Sequence, residues 1–252
     1  MADWAAVVAA AMAEEPETVT AHTFVRAWST ASRPVLLSCD DGADWVVKGR
    51  QSGKQAVTDQ ILGTLGRVLG APIPEITIVT VPQELISSEP ELAHLAVGSA
   101  HGSRYEAGYS EREGLAHAIP ENAAAFAHLA GFYGWGLAQD HQMIYRIAAP
   151  CLVRSVDHGH FIGGGSWNEA QLAGLSDEAE LDPVVVAHSP PTAENLERVR
   201  DHLNLLNDGV IARAVSRPRI DWGITLEERI RLATLLASRR DRLRVKLEAL
   251  LP

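Results

Sequence analysis

Apolar and polar positions divide the chain into a strand-rich first part and a helix-rich second part. Loose alternation over residues 18–28 and short apolar runs over 35–39 and 45–48 predict three strands. Asp41-Gly42 separates the last two runs. This pair predicts a hairpin turn, because glycine adopts a positive φ at little cost. The first part therefore contains a β-hairpin whose second strand ends on Lys48.

A helix is predicted directly after this hairpin, over residues 54–69, because apolar residues recur there at helical spacing. Gly70 and Pro72 follow it, as expected beyond a helix C-terminus. A β-rich run over residues 75–81 then predicts a further strand. A short Ala-rich helix capped by Asp3 is predicted ahead of all these elements.

The second part is predicted to be mainly helical around one small hairpin. Helices are expected over residues 122–138 and 192–206, and two short strands over 143–147 and 151–156. A Thr225-x-x-Glu228 capping box predicts the start of the last helix. Strands followed by a helical majority indicate an α+β fold.

Composition narrows the classes of function. The formal net charge of −10 argues against nucleic acid as a partner, because phosphate backbones repel an acidic protein. The arginines of residues 229–246 are interpreted as the solvated face of a C-terminal helix. Two isolated cysteines and the absence of a long apolar segment predict a cytoplasmic protein without a membrane partner.

Three charged residues at the ends of predicted elements suggest phosphoryl-transfer chemistry. Lys48 ends a strand, Asp140 follows a helix, and Asp157 ends the small hairpin. Phosphoryl transfer needs a cation on the phosphates, carboxylate ligands for a metal, and a carboxylate that orients the attacking hydroxyl. Each residue alone is more often surface or turn chemistry, so an unrelated α+β protein stays open. Asp157-His158-Gly159-His160 also permits a zinc site, but helically spaced partner ligands are missing from the sequence.

Several segments resemble the HipA-like kinase family. The string RPVLLSCDDGADWVVKGRQSG over residues 33–53 and the string TDQILGTLGRVLGAPIPEITIVTVPQELI over residues 58–86 carry most of the resemblance. AVGSAHGSRYEAG over 96–108, SVDHG over 155–159 and the end of the chain from Pro218 onward also resemble it. The resemblance implies a two-lobed protein-kinase-like fold. Residues 1–82 would form the small N-lobe, 83–92 the hinge and 93–252 the helical C-lobe.

The resemblance also implies ATP and Mg²⁺ as cofactors and a role for each matching residue. Lys48 would hold the α- and β-phosphates, and Asp59 would pair with it from the following helix. Asp140 would be the catalytic base and Asp157 the metal ligand, with Gln142 as a second metal ligand. The remaining nucleotide contacts would come from the phosphate loop and the hinge, namely Ser29, Thr30, Ser32, Arg33, Glu84 and Leu85.

The sequence departs from the family pattern at the catalytic segment. His141 stands where the family has arginine after the aspartate, and Tyr145 where it has asparagine. Tyrosine is not a usual magnesium ligand. Two functional hypotheses therefore follow. One is an active phosphotransferase acting on a protein Ser/Thr hydroxyl or on a small-molecule hydroxyl. The other is a pseudokinase that binds nucleotide, or retains only the fold, without turnover.

Overall fold

Five strands close into a barrel in the computed structural model, which describes residues 3–111 and 119–251. The strands of the barrel are β1 (Thr18–Ala27), β2 (Val35–Cys39), β3 (Asp44–Lys48), β4 (Ile76–Val81) and β5 (Gly98–Arg104). Their spatial order is β1-β2-β3-β5-β4. Neighbouring strands are antiparallel except β1 and β4, whose parallel pairing closes the barrel. The strands predicted over 18–28, 35–39, 45–48 and 75–81 are confirmed.

A second, three-stranded antiparallel sheet lies later in the chain. It consists of β6 (Tyr109–Glu111), β7 (Met143–Arg146) and β8 (Val153–Ser155), in that spatial order. The pairing of β7 with β8 is the small hairpin that the sequence predicts. Asp157 follows this hairpin with a left-handed backbone at φ 56°, where the chain turns into the short 3₁₀ helix His158–His160.

Among the described residues, three helices lie in the first part of the chain and six in the second. They are α1 (Trp4–Met12), α2 (Lys54–Val68), α3 (Gln83–Ser88), α4 (Ala123–Gly136), α5 (Glu169–Ala173), α6 (Pro183–His188), α7 (Ala193–Leu205), α8 (Asp208–Ser216) and α9 (Leu226–Leu250). The predicted cap of α1 is confirmed, since Asp3 accepts a hydrogen bond from Ala6 N. The predicted capping box at Thr225 and Glu228 is also present at the start of α9. The fold is thus mixed α+β, with strands early and helices later.

The buried apolar residues form two clusters. One fills the barrel and includes Leu37, Trp45 and Val79. The other extends through the helices and also takes in one face of α2, including Ile61 and Leu65. Because α2 packs on the helical part and also contacts β4 and β5, it connects the barrel to the helices. A side chain on α2 can therefore meet groups from both parts.

Residues 83–104 differ from the predicted arrangement. The segment predicted as a hinge, residues 83–92, contains α3 and a 3₁₀ turn, and the chain then re-enters the barrel as β5. β5 lies between β3 and β4, so the strand-rich part ends at Arg104 rather than at residue 82. The sequence GSAHGSR of β5 has no β-branched residue, and its strand conformation comes from pairing on both sides.

The arginines of α9 are not all on a solvated face, which corrects the interpretation from sequence. Arg239 is 2% exposed and donates hydrogen bonds to the carbonyl oxygens of Gly134, Trp135 and Ser176. Arg229 is also buried and donates to two carbonyl oxygens.

Within the described residues, no helix is both long enough and apolar enough to cross a bilayer.

Candidate active site

Lys48 is a buried cation held between two carboxylates. Its side chain is 5% exposed, at the end of β3. Nζ lies 3.0 Å from Oδ2 of Asp59 on α2 and also contacts Oδ1 of Asp157 after β8. The fold therefore brings together one residue from the barrel, one from α2 and one from the loop after the small hairpin.

The charges of this group stabilise one another. Burial lowers the pKa of Lys48, but the carboxylates of Asp59 and Asp157 outweigh it and hold that pKa above its ordinary value. Burial likewise raises the pKa of Asp59, but Lys48 and His101 reverse the effect and hold it well below the usual range. Both groups are therefore charged at neutral pH.

Asp59 also fixes the loop that carries Asp157. Its Oδ1 accepts hydrogen bonds from the backbone N–H of His158 at 3.0 Å and lies 3.2 Å from His158 Nδ1. Nε2 of the same histidine lies 2.9 Å from Ser155 Oγ. His158 is thus occupied by structural contacts inside the protein. His101 on β5 completes the surroundings of Asp59, with Nε2 3.3 Å from Oδ2.

Two adjoining cavities meet at Asp157. The first, of about 520 Å³, is lined by Lys48 and Asp59 and by apolar side chains such as Val46 and Val156. The second, of about 460 Å³, is more polar and is lined by Ser32, Gln55, His141 and His160 among others. Both are lined by Thr30, Glu111, Gln142, Ile144, Val156 and Asp157. The charged group around Lys48 therefore opens onto space large enough for a small-molecule ligand.

Asp140 and Gln142 lie in the segment that enters β7. Gln142 Nε2 donates a hydrogen bond of 2.8 Å to Asp140 Oδ2, and Gln142 itself lines both cavities. Since a carboxylate only accepts, the amide nitrogen must face Asp140, and this leaves Gln142 Oε1 for another partner. Asp140 is partly buried and is joined to the cavities through Gln142 rather than lining either one.

Tyr145 lies away from the cavities. It is 1% exposed, and its hydroxyl lies 3.6 Å from Met143 Sδ. Alternation along β7 explains this placement, because Tyr145 faces the core while its neighbour Ile144 lines both cavities.

Some residues of the loop between β1 and β2 line the cavities, and others do not. Thr30 lines both cavities and Ser32 lines the second, whereas Ser29 and Arg33 line neither. The carbonyl oxygen of Ser32 accepts hydrogen bonds from the side chains of Gln51 and Ser52, which anchors the loop to the chain after β3. Arg33 has a φ of 44°, and its carbonyl oxygen lies 3.0 Å from His94 Nε2.

Glu84 and Leu85 are placed on α3, away from both cavities. Glu84 is exposed, and Leu85 packs into the apolar interior cluster of the barrel. The reason is topological: they follow β4, but β5 lies between β4 and β3, so the segment after β5 borders the first cavity instead. Tyr105 and Glu106 from that segment line it.

The sequence analysis did not identify several residues that line the first cavity, among them Trp28, His101, Tyr105 and Tyr109. Trp28 directly precedes the predicted phosphate loop, and this position was an available signal. His101 and Tyr105 belong to or follow β5, whose sequence gave no strand signal. Their placement therefore depended on barrel pairing that periodicity does not reveal.

A mixed α+β fold that buries a strand lysine between two carboxylates at a cavity points to phosphotransferases of the kinase type. Within that class, residues 22–135 match the HipA-like kinase family. This match confirms the resemblance to that family over residues 22–135, the segment that carries Lys48 and Asp59. Asp140 and Asp157 lie beyond it.

Comparison with solved structures gives a more distant likeness. The chain is similar to the structure titled "Crystal structure of the golgi casein kinase", with 10% sequence identity and a TM-score of 0.34. The alignment covers 98% of this chain and 76% of that one. A likeness this weak adds no argument. A comparison with curated proteins gave no match.

Proposed function

We propose that this protein is an ATP- and Mg²⁺-dependent phosphotransferase with a two-lobed, kinase-like organisation. The acceptor would be a hydroxyl group of a protein Ser/Thr residue or of a small molecule. The observation that carries the proposal is the convergence of Lys48, Asp59 and Asp157 at the wall of a cavity. Burying a lysine between two carboxylates costs free energy of desolvation. A site that binds a polyphosphate would account for this arrangement.

In this proposal, Lys48 contacts the α- and β-phosphates while Asp59 holds its ammonium group in place. Thr30 and Ser32 contribute hydroxyl groups near the phosphates, since both line the cavity space next to Asp157. The boundary between the lobes falls after β5, so residues 104–106 take the position proposed earlier for residues 83–92. The barrel is then the small lobe.

The donor set beside the cavity suits Mg²⁺. Asp157 Oδ1 contacts Lys48, whereas Gln142 Oε1 makes no hydrogen bond within residues 3–111 and 119–251. The second carboxylate oxygen of Asp157 and the amide oxygen of Gln142 are hard oxygen donors of the type that Mg²⁺ prefers. Bound there, the ion would neutralise charge on the transferring phosphoryl group.

Asp140 is the proposed proton acceptor for the attacking hydroxyl. The hydrogen bond from Gln142, which lines both cavities, orients its carboxylate. The second cavity is the proposed space for the acceptor, because Asp157 lines it and Lys48 does not. The proton would pass from the hydroxyl to Asp140 as its oxygen bonds the γ-phosphorus, while the bond from that phosphorus to the β,γ-bridging oxygen breaks and ADP leaves.

A nucleotide-binding protein without turnover is the second candidate. The specific observation in its favour is Tyr145, which occupies the position of the family asparagine but packs into the core. That position supplies no metal ligand, and only Asp157 and Gln142 stand in for a complete set.

Thermal unfolding with ATP, with and without Mg²⁺, tests the nucleotide site. A ligand at about 100 times its Kd stabilises a protein by about 2.7 kcal/mol, which raises the Tm of a chain of this size by roughly 5–10 °C. We expect this shift for the wild type with Mg²⁺ and a much smaller one for Asp157→Ala. Asp201→Ala, an exposed aspartate on α7, is the matched control. No shift for the wild type would refute the proposal.

Turnover separates the two candidates. With [γ-³²P]ATP, an active enzyme releases or transfers labelled phosphate, and Asp140→Asn lowers that rate while the ATP-induced rise in Tm persists. A wild type that binds ATP but neither hydrolyses it nor labels any acceptor would favour the second candidate.

A further inference from the structure

A buried histidine lies between a carboxylate and an amide that both project from α2. His101 is 1% exposed on β5, and the strand register places it opposite Lys48. Its Nε2 lies 3.3 Å from Asp59 Oδ2, and its Nδ1 lies 2.9 Å from Gln60 Oε1. The ring also lines the first cavity. The carboxylate that holds Lys48 is therefore shared with a second basic side chain.

Both ring nitrogens of His101 face oxygen atoms. A carboxylate oxygen and an amide oxygen only accept hydrogen bonds, so each nitrogen needs a hydrogen to make a favourable contact. A neutral imidazole has a single N–H group and would direct a lone pair at one of the two oxygens. The geometry therefore fits the imidazolium form of His101, which carries a positive charge.

The side chain of Gln60 provides a way to accommodate the neutral ring. Gln60 is fully buried, and its Nε2 makes no hydrogen bond within residues 3–111 and 119–251. Rotating this amide by half a turn would place Nε2 against His101 Nδ1. There it would donate to a neutral ring whose Nε2–H faces Asp59. The two amide orientations thus correspond to the two charge states of His101.

The charge of His101 sets the net charge of the group around Lys48. Lys48 and an imidazolium balance the carboxylates of Asp59 and Asp157, whereas a neutral ring leaves one negative charge in excess. His158 lies at the other oxygen of Asp59, and β4, the second neighbour of β5, contains no titratable residue. An excess negative charge beside the first cavity would oppose the binding of phosphate anions.

We infer that His101 is a positioning residue whose imidazolium form holds Asp59 while the ammonium group of Lys48 turns toward phosphate. This inference rests on the proposed function, because it assumes that the phosphates of a nucleotide reach Lys48. The proton comes from solvent and is added to Nδ1, and the Gln60 amide rotates so that its oxygen accepts from it.

A pH dependence follows from this role. Proton and nucleotide favour each other's binding, and linkage requires the same factor in both directions. Histidine ordinarily changes charge between about pH 5 and 8. Because the imidazolium form is the one that supports binding, the affinity for nucleotide should fall as the pH rises through this range.

Nitrogen NMR of the protein alone tests the charge state without a ligand. With ¹⁵N-labelled histidine at about pH 6, we expect a ring with both nitrogens protonated that is missing from the spectrum of His101→Gln. Gln60→Glu places a carboxylate beside Nδ1 and should keep this ring doubly protonated to a higher pH than in the wild type. That shift identifies the signal even if His101→Gln does not fold. A His101 ring with a single N–H across the whole range would overturn the inference.

Nucleotide binding supplies a readout that a purely structural role would not move. Calorimetry with ATP and Mg²⁺ at about pH 6 and about pH 8 compares the wild type, His101→Gln and His22→Gln, an exposed histidine of β1. We expect the loss of affinity between these pH values to be about fivefold or more larger in the wild type and the control than in His101→Gln, the usual size of a coupling. Comparing variants removes the protonation of ATP itself. Equal losses in all three proteins would contradict the inference.

The outcomes also distinguish this inference from the proposed function. If ATP raises the Tm of the wild type but His101→Gln leaves the pH dependence of binding unchanged, the nucleotide site stands and only the role of His101 fails. If ATP binds at no pH, the proposed function fails, and the link between His101 and phosphate fails with it, whatever the charge state that NMR shows.

Discussion

At the scale of single residues, the central feature is a lysine that is charged although it is buried. Desolvation of an ammonium group costs several kcal/mol, and this cost is offset only when carboxylates lie within contact distance. Lys48 has two, from Asp59 and Asp157. Removing either carboxylate leaves buried charge that is less well compensated, so the stability of the fold and the geometry of the site depend on the same contacts.

We therefore predict that Asp59→Asn destabilises the fold by about 3 kcal/mol at neutral pH, since breaking one side of a buried ion pair costs this much or more. The pKa of Asp59 is lowered in the folded state, so its stabilisation is present above the unfolded pKa of about 3.8 and is lost as pH falls below that value. The difference between wild type and variant should be constant from about pH 5 to 8 and should shrink below pH 4. Urea unfolding across this range measures it.

The control for this prediction is Glu194→Gln, which removes an exposed ion pair with Arg198 on α7. Exposed pairs of this type contribute less than about 1 kcal/mol. If Asp59→Asn costs no more than this control, or if its cost does not change in acid, the buried pair is not what stabilises the region.

At the scale of elements, the local sequence pattern predicted most helices and strands, but it did not predict which strands pair with one another. Helix α2 and the β2–β3 hairpin were predictable because helical spacing and an Asp-Gly turn are local signals. Strand β5 was not, because its small residues have no strand preference outside the barrel. Glu84 and Leu85, which were predicted to contact the nucleotide, lie on α3 and line neither cavity. Lys48 and Asp157 were predicted to lie together, and they do. The positions of Trp28 and Tyr105 at the first cavity depend on closure of the barrel, which no local pattern indicates.

Helix α4 contains a packing constraint that its sequence pattern does not show. Gly134 is needed for the close approach of a neighbouring segment. A Cβ there would lie 1.8 Å from the carbonyl oxygen of Glu180 and 2.9 Å from the backbone N of Asp182. Asp182 in turn caps α6, through Val185 N, and bonds His141 at 3.0 Å beside the second cavity. Because Gly134 has no side chain, residues 180–182 pack directly on the backbone of α4, and Asp182 in this segment contacts His141.

We predict that Gly134→Ala destabilises the protein by about 3 kcal/mol, the upper part of the usual range for overpacking, because the clash is with backbone and no side chain can move aside. Without the clash, alanine would stabilise a helix relative to glycine by up to about 1 kcal/mol. Urea unfolding gives the sign directly.

Gly174→Ala is the matched substitution, since its Cβ would be 3.5 Å from the nearest non-neighbouring atom, the carbonyl oxygen of Gln171. We expect a change within about 0.5 kcal/mol there. Equal stability of the two variants would mean that the 180–182 segment moves freely, and the proposed support of His141 would then be abandoned.

At the scale of the whole molecule, Arg239 attaches α9 to α4, the helix that leads into the candidate active site. Its guanidinium group reaches the carbonyl oxygens of Gly134 and Trp135, in the last turn of α4, where a helix has no internal donors left. It also reaches the loop at residues 176–178. Burial lowers the pKa of Arg239 to about 10, although Asp177 and Glu178 oppose this, so the group is still charged at neutral pH. The segment that follows α4 carries Asp140 and Gln142.

We predict that Arg239→Met destabilises the protein by about 3–5 kcal/mol, because methionine fills part of the volume but leaves several buried carbonyl oxygens without donors. Arg242→Gln, three residues further along α9, removes only exposed ion pairs with Asp177 and Glu178 and should cost less than about 1 kcal/mol. Urea unfolding compares the two. Because α4 leads directly into the segment with Gln142, Arg239→Met should also reduce the Mg²⁺-dependent part of the ATP-induced Tm shift, measured at a temperature where the variant is still folded. Loss of stability without this second effect would show that α9 supports the helical core alone, and that the cleft is positioned from the barrel and α2.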